Sequence, residues 1–204
     1  MRHIISFLKL ILSLLLLVCL SPTPELPAAK PPAVDALPRP GPDVRIVIWK
    51  SQYTLTLYQG DRPIKTYRAV FGKGFRDGDK EQAGDKRTPE GNFFICTMNP
   101  SQRFYKFMGL SYPDPEHAEY GLRKGLITPR QYRKIRKAHD ERQQPPWDTR
   151  MGGAVGIHGR VLESAVPVNQ PGANWTDGCI ALENADIDEI YRIVSLGTPV
   201  TVLP

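Results

Sequence analysis

Eight prolines between positions 21 and 43 constrain this 204-residue chain more than any other feature: Pro22, Pro24, Pro27, Pro31, Pro32, Pro38, Pro40 and Pro42. Each fixes φ and removes an N–H donor, so neither helix nor sheet can run through the stretch, and an extended spacer is expected there. The folded body then starts at Val44, and residues 44–204 have the size of a single domain. A core of that size does not need disulfide staples.

Ahead of the spacer, residues 1–20 carry Arg2 at the start and, after Lys9, an apolar run from Leu10 to Leu20 interrupted by Ser13. This is the pattern of a secretory signal peptide. Counted from Ile4, the same stretch can also serve as a single membrane anchor, so residues 4–20 are a candidate tether. Ala28-Ala29 offers small residues for cleavage, while the run ending at Cys19 makes a poor lipoprotein site because Val18 is bulky. Either way the expected location is outside the cytoplasm, in the periplasm or cell envelope.

From Val44 the pattern changes. Val44, Ile46 and Ile48 alternate with Arg45 and Val47, and Tyr53, Leu55 and Leu57 with Thr54, Thr56 and Tyr58. Period-two alternation predicts half-buried strands, and Gly60-Asp61 marks the turn before a third strand over 64–71. Further strands are expected at 92–97, 154–158 and 200–203. A helix is predicted near 128–144, with Thr128 as cap, Pro129 at the first position and Gln131 completing a capping box. Tyr132, Ile135 and His139 share one face of it, and Arg130, Arg133, Lys134, Lys137 and Arg142 the other. That basic face is read as a solvated surface or as a lid over an acidic polymer. A last helix starts at Asn184, its Asp186, Asp188 and Glu189 near the positive end, and stops before Gly197 and Pro199. The fold class is mainly β with a few helices, and residues 114–150 form a helical insert.

The net charge of +6 and pI of about 9.3 suit an anionic partner or a merely soluble basic face. No zinc finger, P-loop or RNA-binding motif occurs, so no nucleic acid partner is expected. The cysteines, Cys19, Cys96 and Cys179, form no CxxC pair, and no HExxH is present, so no metal is expected. A Cys96–Cys179 disulfide stays open at this level. There is no GxSxG elbow and no recognisable carboxylate pair.

Two segments can carry chemistry. In Trp175-Thr176-Asp177-Gly178-Cys179-Ile180, a cysteine follows a glycine just before an apolar stretch and a helix. Glycine permits unusual dihedrals, and N–H groups at such a turn can hold an oxyanion. In Val155-Gly156-Ile157-His158-Gly159, a histidine ends an apolar strand, where its imidazole can serve a thiol as base. An inert buried cysteine and a core histidine are the plainer alternatives for each alone.

Together with other segments in the same order, these resemble the L,D-transpeptidase catalytic domain, in its Trp-Thr-Asp-Gly-Cys branch. Gly84-Asp85-Lys86-Arg87-Thr88-Pro89-Glu90-Gly91 is similar to that family's GD-x-x-TPEG loop, Ser111-Tyr112-Pro113 to its S-Y-P element, Ile157-His158-Gly159 to its IHG, and Thr176-Asp177-Gly178-Cys179-Ile180 to its S/T-x-GC motif. The resemblance spans nearly all of the body. It implies a β-sandwich-like fold, Cys179 as nucleophile, His158 as general base and acid, the Gly159 carbonyl orienting His158, and the N–H groups of Gly178 and Cys179 as the oxyanion hole. Asp177, Thr176, Trp175 and Tyr112 are the candidate substrate-binding residues. Many relatives carry His at Asp177 and Arg at Ala181, departures that bear on substrate choice.

The implied substrates are peptidoglycan stem peptides, with a second stem or a lipoprotein as acceptor amine. Water as acceptor would make the enzyme a carboxypeptidase or endopeptidase, and a non-catalytic wall-binding module is the third reading. No cofactor is needed, since thiol, imidazole and backbone donors supply the chemistry.

Overall fold

The computed structural model describes residues 43–160 and 173–204. The leader, the candidate tether at 4–20 and nearly all of the proline spacer lie outside the described residues. Strands β1 (Val44–Trp49), β2 (Thr54–Gln59) and β3 (Arg62–Arg68) open the body as an antiparallel meander. Val44, Ile46 and Ile48 of β1 are buried, as the alternation requires, because period two sends them all to one face. In β2, Thr56 is buried as well as Leu55 and Leu57, its hydroxyl satisfied by Thr66 at 2.9 Å.

The rest of the sheet is built by β4 (Gly91–Ser101), β5 (Tyr105–Leu110), β6 (Gly156–His158), β7 (Ile180–Ala181) and β8 (Pro199–Leu203). The strand order is β3-β2-β1-β8-β4-β5-β6-β7. Strand β4 joins the two halves. Its first residues pair with β8 and its later ones with β5, and the register shifts between Ile95 and Thr97. Such an irregularity bends a strand. One contiguous core, from Val44, Ile46 and Leu55 through Ile95 and Met108 to Ile157, Ile180 and Ile187, fills the curled sheet. The class is mainly β and sandwich-like, with three α-helices among the described residues.

Two helices, α1 (Pro115–Arg123) and α2 (Pro129–Asp140), lie between β5 and β6. The Thr128 hydroxyl accepts from Gln131 N while the Gln131 side chain accepts from Thr128 N, so the predicted capping box is complete. Its apolar face, with Ile135 fully buried, packs with Ala118, Ile127 and Met151. Helix α1 and strand β5 do not stand out in the sequence. The α1 interior holds Gly121, which fits because a Cβ there would meet Met151 Sδ at 2.3 Å. Strand β5 buries Met108, Gly109 and Leu110 in succession, which erases the alternation. Helix α3 (Asn184–Ile193) buries Ile187, Ile190 and Ile193. Among the described residues no helix is long and apolar enough to cross a membrane.

Candidate active site

Strands β6 and β7 are parallel, with Ile157 beside Ile180 and His158 beside Ala181. Cys179 precedes Ala181 by two positions, so it shares the face of His158. Both line one cavity of about 590 Å³, with Lys73, Lys80, Arg103, Phe104, Ala154, Trp175, Thr176 and Asp177 among the other walls. That volume is within the range of small-ligand sites.

The imidazole is held from three sides. Nδ1 lies 2.6 Å from Gly159 O, and a carbonyl can only accept, so Nδ1 carries the proton and Nε2 keeps its lone pair. The Phe104 ring packs on it at 4.4 Å between centroids, and Trp175 meets it edge-on at 5.8 Å. His158 is only 1% exposed. Burial pushes it down to about 4, with Arg103 acting the same way and the Gly159 carbonyl opposing. Gly159 is required sterically: a Cβ there would stand 2.3 Å from Asn184 Oδ1 at the start of α3.

The thiol does not hydrogen-bond to His158. Sγ donates weakly to Ala154 O at 3.7 Å. Ala154 itself has φ of +52°, an uncommon conformation for a residue with a Cβ and a form of strain that concentrates at functional sites. Burial pushes the thiol up to about 11, against the Gly156 N–H and the Lys80 charge. At neutral pH the resting pair is therefore neutral thiol and neutral imidazole, without a preformed thiolate. Cys96 and Cys179 are both free thiols, so no disulfide joins them. Burial pushes Cys96 up to about 12.

The turn before the cysteine commits part of its donors. Gly178 N donates to Thr176 Oγ1 at 3.2 Å, and Thr176 Oγ1 donates to Cys179 O at 2.7 Å. The Gly178 N–H is thus already used, leaving the Cys179 N–H, which has no acceptor among the described residues, as the available oxyanion donor. Thr176 is 4% exposed and serves the turn, although it lines the cavity. Tyr112 is not among the described walls of the cavity. It is fully buried, donates to Met151 O and packs against Phe93 and His117, so it presents no surface to a substrate. Asp177 and Trp175 do face the cavity, with Asp177 3.9 Å from Lys73.

The loop 84–91 is a brace rather than a reactive element. Asp85 accepts from Lys80 Nζ at 2.6 Å and from the N–H groups of Glu81, Gln82 and Arg87. Burial alone would raise its carboxyl, but these donors hold it below the usual range. Thr88 Oγ1 accepts from Gly72 N, and Glu90 pairs with Lys50 at 2.5 Å. The loop presses on the cysteine turn: at Gly178, with φ +132°, a Cβ would stand 2.8 Å from Arg87 O. Behind it, His117 is clamped by Asp114 (2.7 Å) and Asp79 (3.1 Å).

Lys80, Arg103, Phe104 and Ala154 escape a reading by sequence alone, since nothing in their local pattern marks them. Among the described residues no group of three His, Cys, Asp or Glu side chains is placed to hold a metal ion.

Residues 43–202 match the family model of the YkuD L,D-transpeptidase catalytic domain. The chain belongs to this family. A solved structure agrees in fold. The helical cell shape determining protein Pgp2 from Campylobacter jejuni is 17% identical, with a TM-score of 0.50 over 78% of this chain and 46% of that one. An L,D-transpeptidase from Xylanimonas cellulosilytica is 16% identical, with a TM-score of 0.43 over 81% of this chain and 63% of that one. The chain thus spans less than two thirds of the length of these structures. No curated protein sequence matches it.

Proposed function

We propose that this family member is a peptidoglycan L,D-transpeptidase acting through a Cys179 thioester on tetrapeptide stems. The observation that carries the reading is the arrangement around His158: Nδ1 is committed to Gly159 O, which leaves Nε2 as a base in the cavity that Cys179 also lines. In the first step Cys179 attacks the carbonyl of the third stem residue as His158 takes the thiol proton. A neutral imidazole and a protonated thiol at rest favour this concerted transfer over attack by a standing thiolate. The Cys179 N–H faces the developing oxyanion. The protonated His158 then gives its proton to the leaving amine of the terminal D-alanine.

In the second step an amine from another stem, or from a lipoprotein, opens the thioester with His158 again as base. The buried imidazole favours releasing its proton, as a low imidazolium pKa requires. On this reading residues 1–20 direct export, residues 21–43 act as the spacer, and the insert at 114–150 is a brace beside the cleft.

Purified muropeptides incubated with the protein and with its Cys179→Ala variant test the reading by mass spectrometry. Cross-linked 3→3 dimers or exchanged terminal residues, absent with the variant, are expected. Shortened stems alone would make the protein a hydrolase, and an unchanged mixture would leave a wall-binding module.

A further inference from the structure

Among the described residues three cations line the cavity: Lys73, Lys80 and Arg103. Two of them have carboxylate partners. Lys80 is 4% exposed and bonded to Asp85, and Lys73 faces Asp177. Arg103 has no anionic partner among the described residues. Its guanidinium lies over the Phe104 ring at 5.0 Å, and the same ring packs on the His158 imidazole at 4.4 Å.

The turn that carries Arg103 is not loose. Phe104 N donates to Ser101 Oγ at 3.0 Å, and Phe104 O accepts from Gly159 N at 3.1 Å, next to the catalytic imidazole. A turn fixed by these bonds thus holds a positive charge, without an anionic partner among the described residues, two ring contacts from His158. Arg103 lines the same cavity as Cys179 and His158, so a carboxylate on a peptide bound there for attack can meet this guanidinium.

Resting on the function proposed above, we infer that Arg103 binds the free carboxylate of the residue that leaves, and so selects stems that end one residue past the attacked carbonyl. A longer stem would place an amide, which carries no charge, against the guanidinium. Guanidinium groups favour carboxylates because their fork of donors matches two oxygens. The shared chemistry is a carboxylate, and the other source of one near the reacting bond is the side-chain carboxylate of a third residue such as diaminopimelate.

The test uses the Cys179→Ala protein, which cannot turn substrate over, and isothermal calorimetry with three peptides: the tetrapeptide stem with a free C-terminus, its C-terminal amide, and the stem amidated only on the side-chain carboxylate of residue three. The free acid is expected to bind roughly 10- to 100-fold more tightly than the C-terminal amide, as for a charged hydrogen bond. Adding Arg103→Gln should erase that preference while leaving the amide's affinity unchanged. Equal binding of acid and C-terminal amide, a preference that survives Arg103→Gln, or no binding of any peptide would overturn the inference. An Arg103-dependent loss confined to the side-chain amide would overturn the terminal assignment and move the site to residue three. Turnover by the wild-type protein is scored separately. Selective binding without turnover refutes the proposed reaction and leaves the carboxylate site standing, whereas turnover without selectivity does the reverse.

Discussion

Raising the pH from 6.5 to 9 should weaken the fold chiefly through His117. Its ring is 7% exposed, with Nδ1 on Asp114 and Nε2 on Asp79. Burial by itself would lower its pKa, but the two carboxylates outweigh that and raise it from 6.5 to about 9. A group whose folded pKa is raised contributes stability that is fully present below the unfolded value. That contribution is lost as pH rises through the folded one. The window is therefore 6.5 to 9, and the shift is worth about 3 kcal/mol. For a domain of this size, the midpoint of thermal unfolding should fall by roughly 6–12 °C across it. Calorimetric scans at half-unit pH steps, run beside a His117→Gln variant, isolate the effect. The variant should be less stable at pH 6.5 and flat up to about pH 8, above which the raised thiols of Cys96 and Cys179 begin to act in both proteins. His158, whose folded value is depressed, acts only below 6.5 and does not intrude. A wild-type midpoint that does not move, or a variant with the same slope, would refute the assignment of a charged His117.

Other perturbations have equally definite outcomes. With the imidazole depressed to about 4, kcat/KM should lose its acid limb near pH 4 rather than near 6.5; an inflection at 6.5 would mean a solvated His158. Alkylation of Cys179 by iodoacetamide, followed by peptide mass spectrometry, should climb from pH 7 to 10 without a plateau, because the thiol titrates near 11; a plateau below pH 8 would reveal a thiolate at rest. Gly178→Ala should cost about 2 kcal/mol and most activity, since its φ of +132° and the Arg87 carbonyl both oppose a Cβ; a wild-type melting curve would contradict this. Asp85→Asn should destabilise by about 3 kcal/mol by stranding the buried Lys80 ammonium, measured by urea unfolding.

What the sequence makes legible follows from how local each signal is. The alternation at Val44, Ile46 and Ile48 and the box at Thr128 and Gln131 are set by neighbours a few positions away, and both appear as expected. The glycines flanking His158 and Cys179 mark tight packing, and register then brings those two residues to one face. Tyr112 looked like a binding residue because Ser-Tyr-Pro resembles a family element, yet its role is decided by Phe93, Met151 and His117, distant in the chain. The Gly178 N–H is expected in the oxyanion hole, and in the resting turn the Thr176 hydroxyl accepts from it, a contact that no sequence pattern marks. Strand β5 and helix α1 lack periodicity because one is buried in succession and the other accommodates Gly121. Arg103 reaches the site only because the β4–β5 turn is tied to Gly159.

The central claim is that Cys179 becomes acylated by a stem peptide with His158 as its base. Incubating the protein with a tetrapeptide stem, quenching in acid and mapping the adduct by mass spectrometry tests it directly. The account predicts a thioester on the peptide containing Cys179, carrying the stem minus its terminal residue, and strongly reduced in His158→Gln. An adduct on Cys96, or acylation of Cys179 that proceeds unchanged without His158, would contradict it.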